Sequence, residues 1–579
     1  MNANLSSLNQ SSPVCVQTVA NMLAYNTTGL TEGQFFMVDS YNAYSNGNTD
    51  GGGGLFMMTA QTPTAGTAGS TTGSVDNFVI FQSTFDTTKY FIRQFQGPYF
   101  IEWTGAKGDL SADAGAAINS AIVTCPNGST LTTFTPSQYL ITTPILIKNK
   151  QAFIFQSGLK AGERSSGGGV LSYNGTSGGT VISHLSCEAC EINNWIIDLN
   201  SAAIGILTDT ASSGATVTSS QNTYRNVQYI NNLNTAGATG HYWSKTSGTN
   251  NELMSWQDCF YFNFATLSTV TDVGWAQGNN GGFNDHYDVF RNCTAFGAQQ
   301  GFAFQTGGIR YEGFVNASFC QIAFFQTSGI NYPILINFSD HENCWQITKG
   351  FGQWTEIHGS RIAACGKSGL ALFDCTSGTS VVEISRSVID TSAVRSAGGY
   401  LIDYTGAASA FHILFKQNTY TSAVQATDIH GVTLTATNEI GIAITSFLDP
   451  IFGNGLPNQL VTFPPQTGNN TSFFNMLGGL GMMEAPTAQS SAGVVVIQPS
   501  GPSVTILQGD GTAINTVNIF DASSLPAVPN FGFFCYAQSN LTFSNTGSGA
   551  NMAFSGTISS GSCFWMVFKP SLSKWVIAT

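Results

Sequence analysis

The apolar positions of this chain come in short alternating runs, and between about residues 145 and 450 the runs recur in similar phrases. Tyr224-Arg-Asn-Val, Trp256-Gln-Asp-Cys, Phe290-Arg-Asn-Cys, Ala317-Ser-Phe-Cys, Gly359-Ser-Arg-Ile and Ser385-Arg-Ser-Val are examples. Gly359 and Ser385 start 26 positions apart, and Cys259 and Cys293 lie 34 apart. This quasi-periodicity predicts a solenoid of β-coils, each of roughly twenty-odd residues and lengthened by loop insertions. Gly301-Phe-Ala-Phe304 and Gly369-Leu-Ala-Leu-Phe373 alternate small and large residues, as an inward-facing stack of strands requires. The competing reading is an antiparallel sandwich or propeller. It fits less well, because no hairpin turn of constant length separates the phrases.

The flanks read differently. Residues 1–14 are a polar segment expected to order only against a partner. The apolar positions Val16, Val19, Met22 and Leu23 predict a short helix, which leads into a small β-rich module over 15–105. Its strands are expected at Gln34–Asp39, Gly54–Met58, Phe78–Phe81 and Tyr90–Phe95, with a turn-forming run Asn46-Gly-Asn-Thr-Asp-Gly-Gly-Gly-Gly54 between the first two. After Gly105-Ala-Lys-Gly-Asp109, the positions Ala114, Ala117, Ile118, Ala121 and Ile122 predict a helix capped by Ser111 or Asp113. The solenoid is expected over 106–450. Pro450, Pro457, Pro464 and Pro465 break any coil in a linker over 451–485, and the short strands of 486–579 predict a β-sandwich, in one form a jelly roll.

Composition narrows the possibilities. Charged residues make up 9% of the 579, against 42% hydrophobic, with 64 Gly and 42 Phe. That balance excludes a disordered chain. A net charge of −13 argues against a nucleic-acid partner. The N-terminus has no signal-peptide pattern and no window is long enough for a membrane span, so a protein made in a cytoplasm without a membrane partner is expected. Cys187-Glu-Ala-Cys190 is the one close pair among twelve Cys. With no second Cys or His pair nearby in sequence it reads as reduced core thiols, and neither metal nor cofactor is expected.

Gly105-Ala-Lys-Gly-Asp109, the Asp-bearing helix and Tyr139-Leu-Ile resemble the opening of pectate-lyase-like right-handed parallel β-helix proteins, in particular viral (phage) tailspikes and capsule depolymerases. Asp50-Gly-Gly-Gly-Gly-Leu-Phe56, Arg93-Gln-Phe95 and Gly97-Pro98 extend the likeness over roughly residues 15–150. Leu110 stands where the family pattern has a second Gly, and Ser111-Ala-Asp-Ala replaces its Asp-Asp-Thr. The resemblance implies an all-β fold: a right-handed parallel β-helix with an N-terminal capping module and a C-terminal β-sandwich that trimerises the spike or binds glycan. It also implies a homotrimeric virion protein that joins other tail proteins through its N-terminal region and takes a host surface polysaccharide. The motif marks where the solenoid starts and carries no chemistry.

Candidate chemistry lies downstream. Asp288, Glu312, Asp340, Glu342 and Glu356 are the carboxylates expected to include a catalytic pair, because glycoside hydrolysis sets an acid and a base or nucleophile across one bond. Stacked coils would bring such residues together: 24 positions separate Asp288 from Glu312, and 28 separate Glu312 from Asp340. Trp243, Trp256, Trp275, Tyr311, Trp345 and Trp354, with Arg310, are the expected sugar contacts. For each of these the plainer reading is a turn acid or a core aromatic, and for His286, His341 and His358 it is a structural hydrogen bond. A spike that binds and cleaves a polysaccharide is the leading function. A non-catalytic spike or adhesin of the same fold is the alternative, followed by a secreted polysaccharide lyase using Arg291, Arg310 or Arg361.

Overall fold

The computed structural model describes residues 12–43, 50–67, 73–134, 137–158, 168–209, 219–244, 253–278, 288–304, 309–326, 334–349, 354–374, 380–403, 411–416, 418–421, 429–430, 442–447, 473–477, 487–491, 494–497, 505–508, 512–519, 532–547, 550–569, 572 and 574–578. The chain divides into two compact units: residues 1–354 with 363–374, and residues 355–362 with 375–579.

In the first unit three parallel sheets run side by side, each coil giving one strand to each. The first face stacks Thr130–Thr132, Ile154–Gln156, Glu191–Asn193, Thr223–Arg225, Ser255–Gln257, Asp288–Arg291, Ile309–Glu312 and Ile334–Asn337. The second carries Trp195–Asp198, Gln228–Ile230, Phe260–Phe262, Thr294–Phe296, Asn316–Ser318 and Asp340–Glu342 in succession. The third carries Thr180–Leu185, Ile204–Asp209, Thr239–Trp243, Val273–Gln277, Gln300–Phe304 and Ile322–Gln326. This is a parallel β-helix, and its interior is a set of ladders. Tyr224, Trp256, Phe290 and Tyr311 stack from coil to coil with centroid separations of 5.6, 4.4 and 5.3 Å. Trp275, Phe302 and Phe324 do the same on the third face at 4.9 and 5.4 Å. Offset stacking of this kind adds about 0.5–1.5 kcal/mol per pair beyond buried area.

The recurring phrases of the sequence are corners. Asn194, Asn226, Asp258, Asn292 and Gly313 each follow a first-face strand with φ between 51° and 74°, turning the chain onto the second face. Asn and Asp tolerate this left-handed geometry better than other side chains. The column is also bonded: the Asn226 amide donates to Asn194 Oδ1 at 3.1 Å, and Asn292 to Asp258 Oδ1 at 3.1 Å. The Cys that follows turns inward, so Cys259 and Cys293 lie buried in register.

The N-terminal module is a five-stranded sheet in which Val14–Thr18 runs parallel to Phe35–Ser40 and the other pairs are antiparallel. The helix expected over Val14–Ala24 is confined to Val19–Leu23, because Val14–Thr18 joins the sheet edge and Thr18 caps the helix. Arg93 is buried in its core, its guanidinium 4.4 Å from the ring centroids of both Phe56 and Trp103, with carbonyl oxygens of Gly52, Gly53 and Phe78 as acceptors. Asp50 accepts the N–H groups of Tyr41, Asn42 and Gly52 and so ties the end of the Gly-rich run to the strand Phe35–Ser40. Gly115–Thr124 is the helix expected after Asp113. Neither Ser111 nor Asp113 is its cap residue. Asp113 instead ties the helix start to the next coil, accepting from Gly115, Thr142 and Thr143. Leu110 takes φ 61°, keeping the left-handed turn without the Gly.

In the second unit, Ser380–Ser385, Phe411–Lys416, Ile442–Phe447 and Phe473–Leu477 pair in parallel. The last of these lies inside the stretch expected as a linker, most of which is outside the described residues. The C-terminal region departs from an all-antiparallel jelly roll. Thr487–Ser491 pairs in parallel with Thr505–Gln508, and Val494–Ile497 with Thr516–Ile519, in one mixed seven-stranded sheet beside a two-stranded pair, Leu541–Phe543 with Gly556–Ile558. Leu507, Phe543, Phe564, Met566 and Trp575 form its core.

Candidate functional site

Strand alternation decides which of the expected residues can meet a ligand. In Asp340–Glu342 the central His341 points inward and is fully buried, so Asp340 and Glu342 both project from the outer surface of the second face. Two residues of strand separate their Cα atoms by about 6.6 Å. Their register partners one coil back are Asn316 and Ser318, and the Asp340 N–H donates to Asn316 Oδ1 at 3.2 Å. His341 Nε2 lies 2.8 Å from Ser339 Oγ, and burial pulls its pKa down to about 3, so it stays neutral. It is a structural histidine, as His358, 3.0 Å from Ser385 Oγ, is in the second unit. His286 and Asp285 lie outside the described residues.

The other carboxylates are elsewhere. Asp288 points into the coil interior with no exposed surface and accepts the Met254 N–H at 2.9 Å, so it cannot face a groove. Its register partner is Ile309, and that of Glu312 is Arg291: the coil step here is 21 residues, not the 24 read from the sequence. Glu312 and Arg310 belong to a first-face strand, so Glu312 does not stack with Asp340. Glu356 lies half-buried in Trp354–His358, in the second unit.

The expected sugar-stacking aromatics are mostly core. Trp243, Trp256, Trp275 and Tyr311 have no exposed surface and form the interior ladders, because each occupies an inward position of its strand. Trp345 is half-buried, and Lys367 Nζ sits 3.0 Å from its ring centroid, occupying that face with a cation–π contact. The Trp354 side chain lies outside the described residues.

A different aromatic row occupies the outer surface. Phe260 and Phe262 project outward from a second-face strand whose central Tyr261 points inward, and Phe264 follows at 71% exposure. Their rings run nearly parallel at 6.0 and 6.1 Å. Phe264 meets Phe296 of the next coil at 5.8 Å, and Phe296 meets Phe319 at 5.1 Å. Phe319, in a left-handed corner at φ 52° and 44% exposed, donates its N–H to the Glu342 carbonyl oxygen at 2.9 Å. Phe296 and Glu342 stand in one outward column, two coils or about 10 Å apart. The same surface therefore offers an aromatic strip and, at its end, two carboxylates. Sequence reasoning passed over this row, although the alternation Phe260-Tyr-Phe-Asn-Phe264 is its signal.

No protein-family model matches the chain, and no curated protein sequence does. Among solved structures, it is similar to the gp42 tailspike of Acinetobacter phage vb_AbaP_AS12, at 13% identity and a TM-score of 0.50 over 96% of this chain and 91% of that one. Two further neighbours are the tailspike gp49 of Acinetobacter baumannii bacteriophage Fri1, a capsular polysaccharide depolymerase (13% identity, TM-score 0.45, 80% and 75% coverage), and the enzymatically active domain of bacteriophage CBA120 tailspike protein 2 (13%, 0.45, 97% and 85%). The likeness to the gp42 tailspike is one of fold.

Proposed function

We propose that this chain is a viral spike protein that binds a host surface polysaccharide along the outer second face of its β-helix and hydrolyses it with Asp340 and Glu342. The observation that carries the reading is the pair of outward carboxylates on one short strand, adjoining an exposed aromatic row on the same surface. Phenylalanine faces take the apolar C–H face of a pyranose, so a glycan lying along the coils would cross the row and reach the carboxyl pair. One carboxyl group, protonated, donates to the glycosidic oxygen. The other takes a proton from a water that attacks the anomeric carbon from the opposite side.

Asp340→Asn and Glu342→Gln are each expected to lower reducing-end release at least 100-fold while leaving the melting temperature unchanged. Unchanged release in both would overturn the assignment and turn attention to Glu312 and Glu356. Release lost with binding intact separates catalysis from the adhesin reading. That alternative is favoured by the Phe row, which would bind glycan without any carboxylate. Of the cations a lyase would use, Arg291 and Arg310 belong to first-face strands, while Arg361 is exposed on a strand of the second unit. In this reading the spike is a homotrimer, with the N-terminal module toward the other tail proteins. Phe264→Ser then distinguishes two uses of the row: weaker glycan binding at constant mass marks a sugar platform, and a fall to monomer marks a subunit contact.

A further inference from the structure

The Cys187–Cys190 corner holds more than two thiols. His184, the inward residue near the end of Thr180–Leu185, reaches the same interior point, and one of its ring nitrogens and both Sγ atoms lie within 4.8 Å of one another. All three residues are buried. The local backbone produces this convergence: Ser186 (φ 51°) and Ala189 (φ 52°) are left-handed, and each immediately precedes a Cys, turning it inward. Elsewhere in the solenoid Cys259 and Cys293 contact carbonyl oxygens much as Cys187 and Cys190 do, but without a His beside them. Among the described residues, this is the one group of three His, Cys, Asp or Glu side chains with ligand atoms so placed.

His184 supplies the independent indication. Its Nδ1 is 2.8 Å from Tyr224 Oη, which is itself 2.6 Å from Thr208 Oγ1, while its buried Nε2 has no hydrogen-bond partner. An imidazole held at one nitrogen by an outer partner and packed beside two thiols is the arrangement of a metal-ligating histidine. We infer that His184, Cys187 and Cys190 form a structural site for a thiophilic divalent ion, zinc by its ligand chemistry, with Tyr224 orienting the imidazole. Zn–S and Zn–N bonds of about 2.3 and 2.0 Å put tetrahedral ligand atoms some 3.5–3.8 Å apart, so the atoms close by at most about 1.3 Å from the 4.8 Å limit. Both thiols give up their protons on binding, two thiolates balance the dication, and one tetrahedral position remains. The ion would pin a third-face strand to the corner that starts the next coil.

The test uses the full chain purified from zinc-supplemented medium under reducing conditions. Elemental analysis is expected to give about one zinc per chain, with an X-ray absorption edge fitting two sulfur ligands and at least one imidazole nitrogen. Cobalt(II) added to metal-stripped chain should give thiolate charge-transfer and tetrahedral d–d bands. Tyr224→Phe should weaken metal affinity about 10–100-fold while the sulfur count stays at two. Zinc below about a tenth of an equivalent in folded wild-type chain, a zinc edge without sulfur, or a Cys187–Cys190 disulfide in the purified protein would each overturn the site. None of these readouts depends on the Cys variants folding, or on the carbohydrate function.

Discussion

Trp256 separates a core role from a sugar-binding role in one measurement. It is fully buried, its ring lies 4.4 Å from Phe290 at 7° and 5.6 Å from Tyr224, and its Nε1–H donates to His241 Nδ1 at 3.1 Å. Trp256→Ala empties an indole-sized volume in the middle of the ladder, a cost of about 3–5 kcal/mol. Trp256→Phe keeps a stacking ring and removes the donor. His241 Nδ1 retains Tyr229 Oη at 2.9 Å, so the loss is one buried hydrogen bond plus part of the ring, about 1–2 kcal/mol. At roughly 2 °C per kcal/mol for a large cooperative unit, these become falls of about 6–10 °C and 2–4 °C in Tm by calorimetry. Glycan affinity of the folded fraction, by isothermal titration, should stay within about twofold of wild type if only the interior is touched. A Trp256→Phe chain with unchanged Tm and about tenfold weaker glycan binding would refute the core assignment.

Other consequences follow from buried ionisable groups and corners. Glu102 accepts from Tyr139 Oη at 2.7 Å and from the Phe134 N–H, and burial raises its pKa from 4.5 to about 7. The folded state therefore binds the proton more tightly than the unfolded state, and stability from this group falls as pH rises from about 4.5 to 7, by about 3 kcal/mol in all. Glu102→Gln should flatten that part of a Tm-against-pH curve, and a slope left intact would exclude Glu102 as its source. His341 has the opposite sign: with its folded pKa lowered from 6.5 to about 3, its contribution is full above 6.5 and is lost as pH falls toward 3. His341→Gln should reduce acid lability in that window, measured by the same scans. Gly297, at φ 77°, would place an added Cβ 1.8 Å from the Asn263 carbonyl oxygen, so Gly297→Ala should lower Tm by several degrees. A neutral result would mean that this corner relaxes.

The class of fold was legible in the residue pattern alone. Alternating runs, repeated Asn-Val and Asn-Cys corners and the Gly-Asp turn before an Ala-rich helix are local signals, because strand alternation and left-handed corners act within a few residues. The strands Phe35–Ser40, Gly54–Thr59 and Tyr90–Gln94 and the helix Gly115–Thr124 were legible for the same reason. The site was less so. Counting 24 residues from Asp288 seemed to place Glu312 above it, yet the register advances by 21, which puts Ile309 there and Glu312 above Arg291. An error of a few positions moves a side chain to another strand position or another face. Tertiary register alone decided that Trp243, Trp256 and Trp275 are core while Phe262, Phe264 and Phe296 meet solvent. It also brought His184 to Cys187 and Cys190 across a corner, which a search for a second Cys or His pair passes over. Burial and convergence depend on which face each coil presents, and that is set by how neighbouring coils pair.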